Sequence, residues 1–406
     1  MSFPRAALWL GLALAAAANG AGATGPERAL IGRVCDDANG DGRCDSREAG
    51  VALAVLSDQH GVVKSAADGT FRLAIAEDAE VLSVRAPAGW TTRGPFWRAI
   101  AKSSADGFDF PLVRRAEKSE FTFLHASDTH WSSASAERTA RLRELVAELQ
   151  PDFVLLTGDL VRDALRVPEA EARGYYEGIA GELARIPVPV FTVPGNHELF
   201  GIERHQSLVP KDHPLYGEKM YRHYFGPNYY AFDFGGVRFV GLDSVDYDDL
   251  WYFGHYTAEE LAWLGRDLVD LPPDAPVVTF QHIPLATSID MLSGYTEDPP
   301  APTLIRIAGK PQYRHVVANA AELLAVVAPR RYEIALGGHM HAAESLTLQT
   351  SDGPLRIHQT AAVVGPNEGG GVHFPSGVTL YRVRDGRVDE GTFVPLDPVG
   401  AQPPAR

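Results

Sequence analysis

The chain is expected to fold as an α/β domain preceded by a smaller all-β region, and three observations predict this. Five apolar, β-prone runs (121–126, 152–157, 188–193, 277–280 and 333–336) each end on residues of the types that bind metal ions. Segments with helical periodicity lie between the first and third of these runs, the pattern of βαβ units. Residues 29 to 115 instead hold short alternating runs broken by Gly, Asp and Pro, the pattern of strands and turns.

At 406 residues the chain has room for two or three domains and a sizeable core. With 45% hydrophobic and 22% charged residues it has the composition of a globular protein. The first 23 residues stand apart. Arg5 precedes an apolar run at 6–18, and Ala21-Gly22-Ala23 supplies small residues, which together read as a secretory signal peptide cleaved after Ala23. The competing reading is an N-terminal membrane anchor, but the run is short for a bilayer. No later stretch reaches the ~18 continuous apolar residues of a membrane helix, so no transmembrane segment is expected after signal removal. The mature chain is expected to be exported, either periplasmic or secreted.

The 52 acidic against 37 basic residues give a net charge of −15, with no basic cluster or aromatic-plus-basic stripe. No nucleic-acid-binding surface is therefore expected. An acidic protein acting on an anion needs a local positive source, which bound metal ions supply. Nothing in the sequence sets the oligomeric state.

The all-β region (24–115) carries strand-like runs at 51–56, 61–64, 70–75 and 81–86. Ahead of them, Asp37, Asn39, Asp41, Asp45 and Glu48 fall at the oxygen-ligand positions of a calcium loop, with Arg43 at the carbonyl position and Gly42 at the sharp turn. The flanks read as strands and not as the helices of an EF-hand, and the alternative is a solvated Asp/Asn/Gly turn. Cys35 and Cys44, the only cysteines, are expected to form a local disulfide in an exported protein, in preference to a metal site or reactive thiol.

A polar connector at 114–120 leads to the α/β domain, 121–395. Residues 136–149 read as a helix with Leu142, Leu145, Val146 and Leu149 on one face, and a second helix is expected at 169–185. The segment 200–224, with His205, His213 and His223, has no clear period and reads as a surface excursion at a site rim. A hairpin follows at 229–242, turning at Gly235-Gly236. Thr257 caps a helix running to Leu268, with Glu260 expected to complete a capping box. Residues 284–317 form a second irregular stretch, 318–327 a helix, and 345–394 strands and turns. Residues 396–406 read as a disordered tail.

In open α/β sheets ligands bind beyond the carboxyl ends of the strands. At those ends stand Asp128 and His130, Asp159, Asn196-His197-Glu198, His282, and His339 with His341. Each motif alone is weak, since D-x-H or GD arises by chance. Together and in this order (D-x-H, GD, GNH[E/D], a single His, GHxH) they resemble the calcineurin-like metallophosphoesterase superfamily over residues 121–395. The region before them looks like the β-domain that precedes the phosphoesterase in an exported bacterial subgroup. The resemblance implies a four-layer αββα sandwich and a dinuclear centre. Asp128, His130 and His341 would hold one divalent ion, Asn196, His282 and His339 the other, and Asp159 would bridge them, with a hydroxide between the ions as nucleophile. A mixed imidazole and oxygen set suits Mn, Fe or Zn. His197 would act as general acid. Glu198 either orients His197 or is a solvated residue on the following turn.

The function implied is metal-dependent hydrolysis of phosphoesters, with phosphodiesters ahead of phosphomonoesters and phosphoproteins. A non-enzymatic alternative is a silent surface-binding protein that keeps the fold, which the intact ligand set opposes. No H-E-x-x-H, G-x-x-x-x-G-K-[ST] or G-x-S-x-G sequence occurs. His125, inside the first strand, reads as a core histidine. Asp163 reads either as a residue behind the ligands or as a cap. Trp131, Tyr295, His358 and His373 read as ordinary packing, and Gly369 to Gly371 as a mobile rim.

Overall fold

A computed structural model describes residues 28–100, 107–299, 302–328, 330–351, 353–369 and 371–397. The expected signal peptide lies outside the described residues. The all-β region is a sandwich of two four-stranded sheets. One orders Thr70–Ala74, Ala29–Asp36, Phe110–Arg114 and Trp90–Thr92, the other Val62–Lys64, Val55–Ser57, Val81–Arg85 and Trp97–Ala99. Strict alternation, as in Thr70–Ala74, sends Phe71 and Leu73 inward against Leu30, Val34, Leu56 and Phe110. Cys35 and Cys44 are disulfide-bonded.

Two further sheets stack face to face in the α/β domain. The first runs Val190–Val193, Phe153–Thr157, Glu120–Ala126, Gly377–Arg384, Arg387–Val388, and its first three strands are parallel. The second runs Tyr230–Phe234, Val237–Gly241, Pro276–Phe280, Arg331–Gly337, Gly353–Gln359, Glu344–Thr350. Between them Phe121, Phe123, Phe153, Phe239, Phe280 and Tyr381 form an aromatic core, each burial contributing roughly 1.5–3 kcal/mol. Helices Ala136–Leu149 and Glu169–Leu183 cover the outer face of the first sheet, using Leu142, Leu145, Val146, Tyr176 and Ile179. Ala258–Leu268 and Ala320–Val327 cover the second. The result is the expected four-layer αββα order.

The sandwich and the α/β domain are joined by buried charge. Arg85 of the sandwich lies 2.9 Å from Asp233 and 3.1 Å from Asp267, and Arg238 reaches the same two carboxylates at 2.6 Å each. Trp263 donates its indole N–H to the Ser57 hydroxyl at 3.1 Å, and the Phe96 ring sits 4.6 Å from that of Tyr230.

Three segments depart from expectation. The stretch 200–224 is not a surface excursion: it contains helix Lys219–Phe225 and buries Phe200, Ile202, Met220 and Tyr221. Its apolar residues are spaced irregularly because short turns, and not one long helix, present them. Glu260 does not close a capping box. Its backbone N–H bonds the Thr257 hydroxyl at 3.2 Å, but its carboxylate accepts from the Asp243 N–H at 2.8 Å. At the C-terminus Leu396 is buried and Asp397 pairs with Arg138 at 2.5 Å, so these two residues belong to the packed domain. The rest of the expected tail, 398–406, lies outside the described residues.

Candidate metal centre

The first three ligand-bearing strands end on the first sheet and the other two on the second, so the site lies where both sheets present their carboxyl ends. Two groups of side chains form there. In the first, His341 Nε2 is 3.2 Å from Asp128 Oδ1 and 3.1 Å from His130 Nε2, which is 3.5 Å from Asp159 Oδ2. In the second, His282 Nε2 is 3.2 Å from Asn196 Oδ1, 3.1 Å from His339 Nδ1 and 3.3 Å from Asp159 Oδ1. Asp159 therefore turns one oxygen toward each group. All seven expected ligands converge.

The donor set fits a pair of cations. Asp128 Oδ1 is buried without a hydrogen-bond donor, and the imidazole nitrogens face one another in pairs. His282 donates its Nδ1–H to the Thr157 carbonyl at 2.7 Å, which leaves the Nε2 lone pair for a metal. Burial, reinforced by His197, holds His130 down to about 4, and burial also holds His339 well below the ordinary range. Both are neutral, as ligands must be. For His282 burial opposes the charged form, but the Asp159 carboxylate outweighs it and raises this imidazole to about 9. A metal bound there would have to displace that proton.

The ligands sit on strained backbone. Asp128, His130, Asp159, His339 and His341 have φ of 54°, 37°, 49°, 70° and 53°, a left-handed conformation that costs about 1–3 kcal/mol for each such residue. Neighbouring loops hold them there by close approach. A Cβ on Gly195 would stand 2.3 Å from Asp159 Oδ1, and one on Gly338 would stand 1.9 Å from the Ser127 hydroxyl. Backbone N–H groups of His197 and His339 donate to Asp159 Oδ1 and Asp128 Oδ2 at 2.9 and 3.1 Å.

Glu198 takes neither role expected of it. It is 1% exposed, and its two oxygens accept from the N–H groups of Asp159, Leu160, Val161 and Gly195 at 2.6–3.0 Å. It thus ties the loop carrying Asp159 to the loop carrying Asn196. Burial and the Asp159 carboxylate push its own carboxyl up to about 8. Four N–H donors leave no place for a carboxyl proton, so the ionised form is the one these loops fit. The signal in the sequence was the capping spacing, Gly195-x-x-Glu198.

His197 lies at the mouth of the first group, its ring 4.5 Å from that of His130. Its Nδ1 is 2.5 Å from the Arg162 carbonyl and its Nε2 is 3.9 Å from Asp159 Oδ2. His125 is a core histidine 3.0 Å from the Thr157 hydroxyl. Asp163 caps a turn, accepting from the Leu165 and Arg166 N–H groups. Trp131 packs with the helix Glu169–Leu183 against Gly178, and His358 is buried beside the Tyr381 hydroxyl. Tyr295 and His373 are exposed, and Gly369 belongs to a hairpin strand, Asn367–Gly369.

In the sandwich the loop 37–48 is closed by Gly40 and Gly42, both at positive φ. Asp41 accepts from the Arg43 N–H and Asn39 from the Asp41 N–H, at 2.9 and 2.8 Å. Asp45 pairs with Arg47 at 3.0 Å, and Asp37 with Arg93. Asp37 Oδ1 and Glu48 Oε1 are buried without donors.

Replacing Glu198 by Gln puts an amide N–H against backbone donors. Each N–H left unpaired costs about 1–3 kcal/mol, so urea unfolding of Glu198→Gln should show a loss of that order and elemental analysis a lower metal content. Wild-type stability and metal content in this variant would refute the bracing role.

A family model described as calcineurin-like phosphoesterase matches residues 121–343. A cAMP/cGMP dual specificity phosphodiesterase of Mycobacterium tuberculosis is 25% identical over 198 residues, 44% of this chain and 55% of the relative. A probable cyclic nucleotide phosphodiesterase of Rhodococcus erythropolis is 26% identical over 193 residues, 44% of this chain and 58% of the relative. The chain thus spans little more than half the length of these curated relatives. A dimetal phosphatase from Danio rerio aligns in structure over 68% of this chain and 99% of its own, at 15% identity and a TM-score of 0.42. The family match covers more than half of the chain and includes every converging ligand: the chain belongs to the calcineurin-like phosphoesterase family.

Proposed function

We propose that the chain hydrolyses phosphoester bonds at a dinuclear metal centre and that phosphodiesters are its substrates. The observation that carries this is Asp159, with one oxygen in each of two ligand groups. Asp128, His130, Asp159 and His341 would hold one ion, and Asp159, Asn196, His282 and His339 the other. The nitrogen and oxygen donors suit Mn, Fe or Zn. When bound, such ions act as Lewis acids and lower the pKa of water. The diester preference is supported by the relatives, which are named as cyclic nucleotide phosphodiesterases.

The chain itself supplies a proton. With Nδ1–H given to the Arg162 carbonyl, the imidazolium of His197 carries its second proton on Nε2, the nitrogen nearer Asp159. Transfer of that proton to the departing alkoxide leaves a neutral imidazole and an alcohol. Export is supported by the pattern at 1–23 and by the Cys35–Cys44 bond, which persists in oxidising compartments. Calcium binding by the loop 37–48 is supported by the donorless oxygens of Asp37 and Glu48, although Arg93 competes for Asp37.

Three measurements test these readings. Hydrolysis of an aryl phosphodiester should fall to background on exhaustive chelation and return with Mn, Fe or Zn; unchanged turnover by metal-free protein would sink the dinuclear reading. His197→Ala should lower kcat by ~10²–10⁴ for an alkyl leaving group and by less for an activated aryl group, with metals retained. An equal loss on both would assign it another role. Calcium at 100 times its dissociation constant should stabilise the full chain by about 2.7 kcal/mol through linkage and so raise its melting temperature. Asp41→Ala should remove that gain and leave hydrolysis intact; an identical calcium response in this variant would make the loop a turn only.

A further inference from the structure

His282 has the anchor usual for a metal-bound imidazole, since its far nitrogen donates to a carbonyl. His339, the other imidazole of the second group, has none: its Nε2 is buried without a partner. Three rings surround its own, and one of them, His282 at 4.9 Å between centroids, is a fellow ligand. His315 packs on His339 with centroids 5.1 Å apart and planes at 63°, and Tyr252 with centroids 6.0 Å apart at 89°. His315 is itself fixed, its Nδ1 lying 2.8 Å from Oδ1 of Asp290, which is 1% exposed. Both residues belong to the irregular stretch 284–317. Asp290 opens a short helix there, and the residues before it are anchored through Thr287 and Ser288 to Glu344.

We propose that Asp290 and His315 are positioning residues for the second metal. The carboxylate locks the His315 ring, and that ring holds His339 in the rotamer whose Nδ1 faces His282 and Asp159. An aromatic wall here replaces the hydrogen bond that orients most metal-bound histidines. The stretch 284–317 thereby sets metal occupancy as well as walling the site. The inference rests on the dinuclear reading proposed above.

The test is metal stoichiometry and affinity of the full chain loaded with Mn, read by elemental analysis and by competition with a chromophoric chelator. Wild type should bind two ions. In His315→Ala and Asp290→Ala the affinity for one ion should fall about ten- to a hundred-fold, the range seen when groups that orient metal ligands are removed, and the other should be unchanged. His315→Leu keeps the buried volume and guards against a folding artefact; it should show the same selective loss. Asp290→Asn still accepts from the His315 Nδ1–H and should restore near wild-type affinity. Two ions at wild-type affinity in His315→Leu, a parallel loss of both ions, or Asp290→Asn as defective as Asp290→Ala would each overturn the proposal. Fewer than two ions in wild type would instead overturn the dinuclear reading beneath it.

Discussion

The Asp159 carboxylate must face two groups of ligands at once, and the rest of the site depends on holding it there. Left to itself its backbone would only occasionally adopt a φ of 49°. Glu198 makes that conformation tenable by collecting the N–H groups of Asp159, Leu160 and Val161, which no strand or helix satisfies. A buried carboxylate is costly unless hydrogen-bonded, and here the donors of two loops remove that cost while the carboxylate orders them. Five strained ligands are tolerated because the sheets beneath them are rigid.

That rigidity comes from the aromatic core. Phe123 stacks between Phe153 and Tyr381 with centroids 5.5 and 5.0 Å away, and both sheets contribute to the same cluster. The carboxyl ends of the two sheets are thereby set against each other. Ligands from Glu120–Ala126 and from Arg331–Gly337 meet only because this packing fixes the relative position of their strands. The outer helices close the remaining faces and bring no ligand.

Much of this was legible in the sequence, for physical reasons. Strand-end ligands stand next to apolar runs of period two or of full burial, so Asp128, His130, Asp159, Asn196, His282, His339 and His341 could each be placed. The side chains so placed gather into two groups that share Asp159, within the region the family model matches. The fold class followed from the same runs, and the strand Gly377–Arg384 completes the first sheet outside the matched region. What escaped was what depends on tertiary neighbours. Glu198 was only partly readable: its spacing from Gly195 marks a cap, but its other three partners are backbone N–H groups some forty residues earlier in the chain. Phe200, Ile202, Met220 and Tyr221 escaped because short turns carry no period, and Glu260 because Asp243, distant in sequence, took the carboxylate that a capping box would use.

The charge network joining the sandwich to the α/β domain also bears on what counts as a domain here. A boundary near residue 116 divides the chain by composition, but Arg85 and Arg238 share Asp233 and Asp267 across it. Parting the halves would leave Asp267, which is 3% exposed at its side chain, with half of its compensation and would bare the Phe96 contact with Tyr230. The sandwich is therefore fastened to the α/β domain by shared charge as well as by the connecting chain. Recombination at that boundary would yield two fragments, each with an unfinished interface.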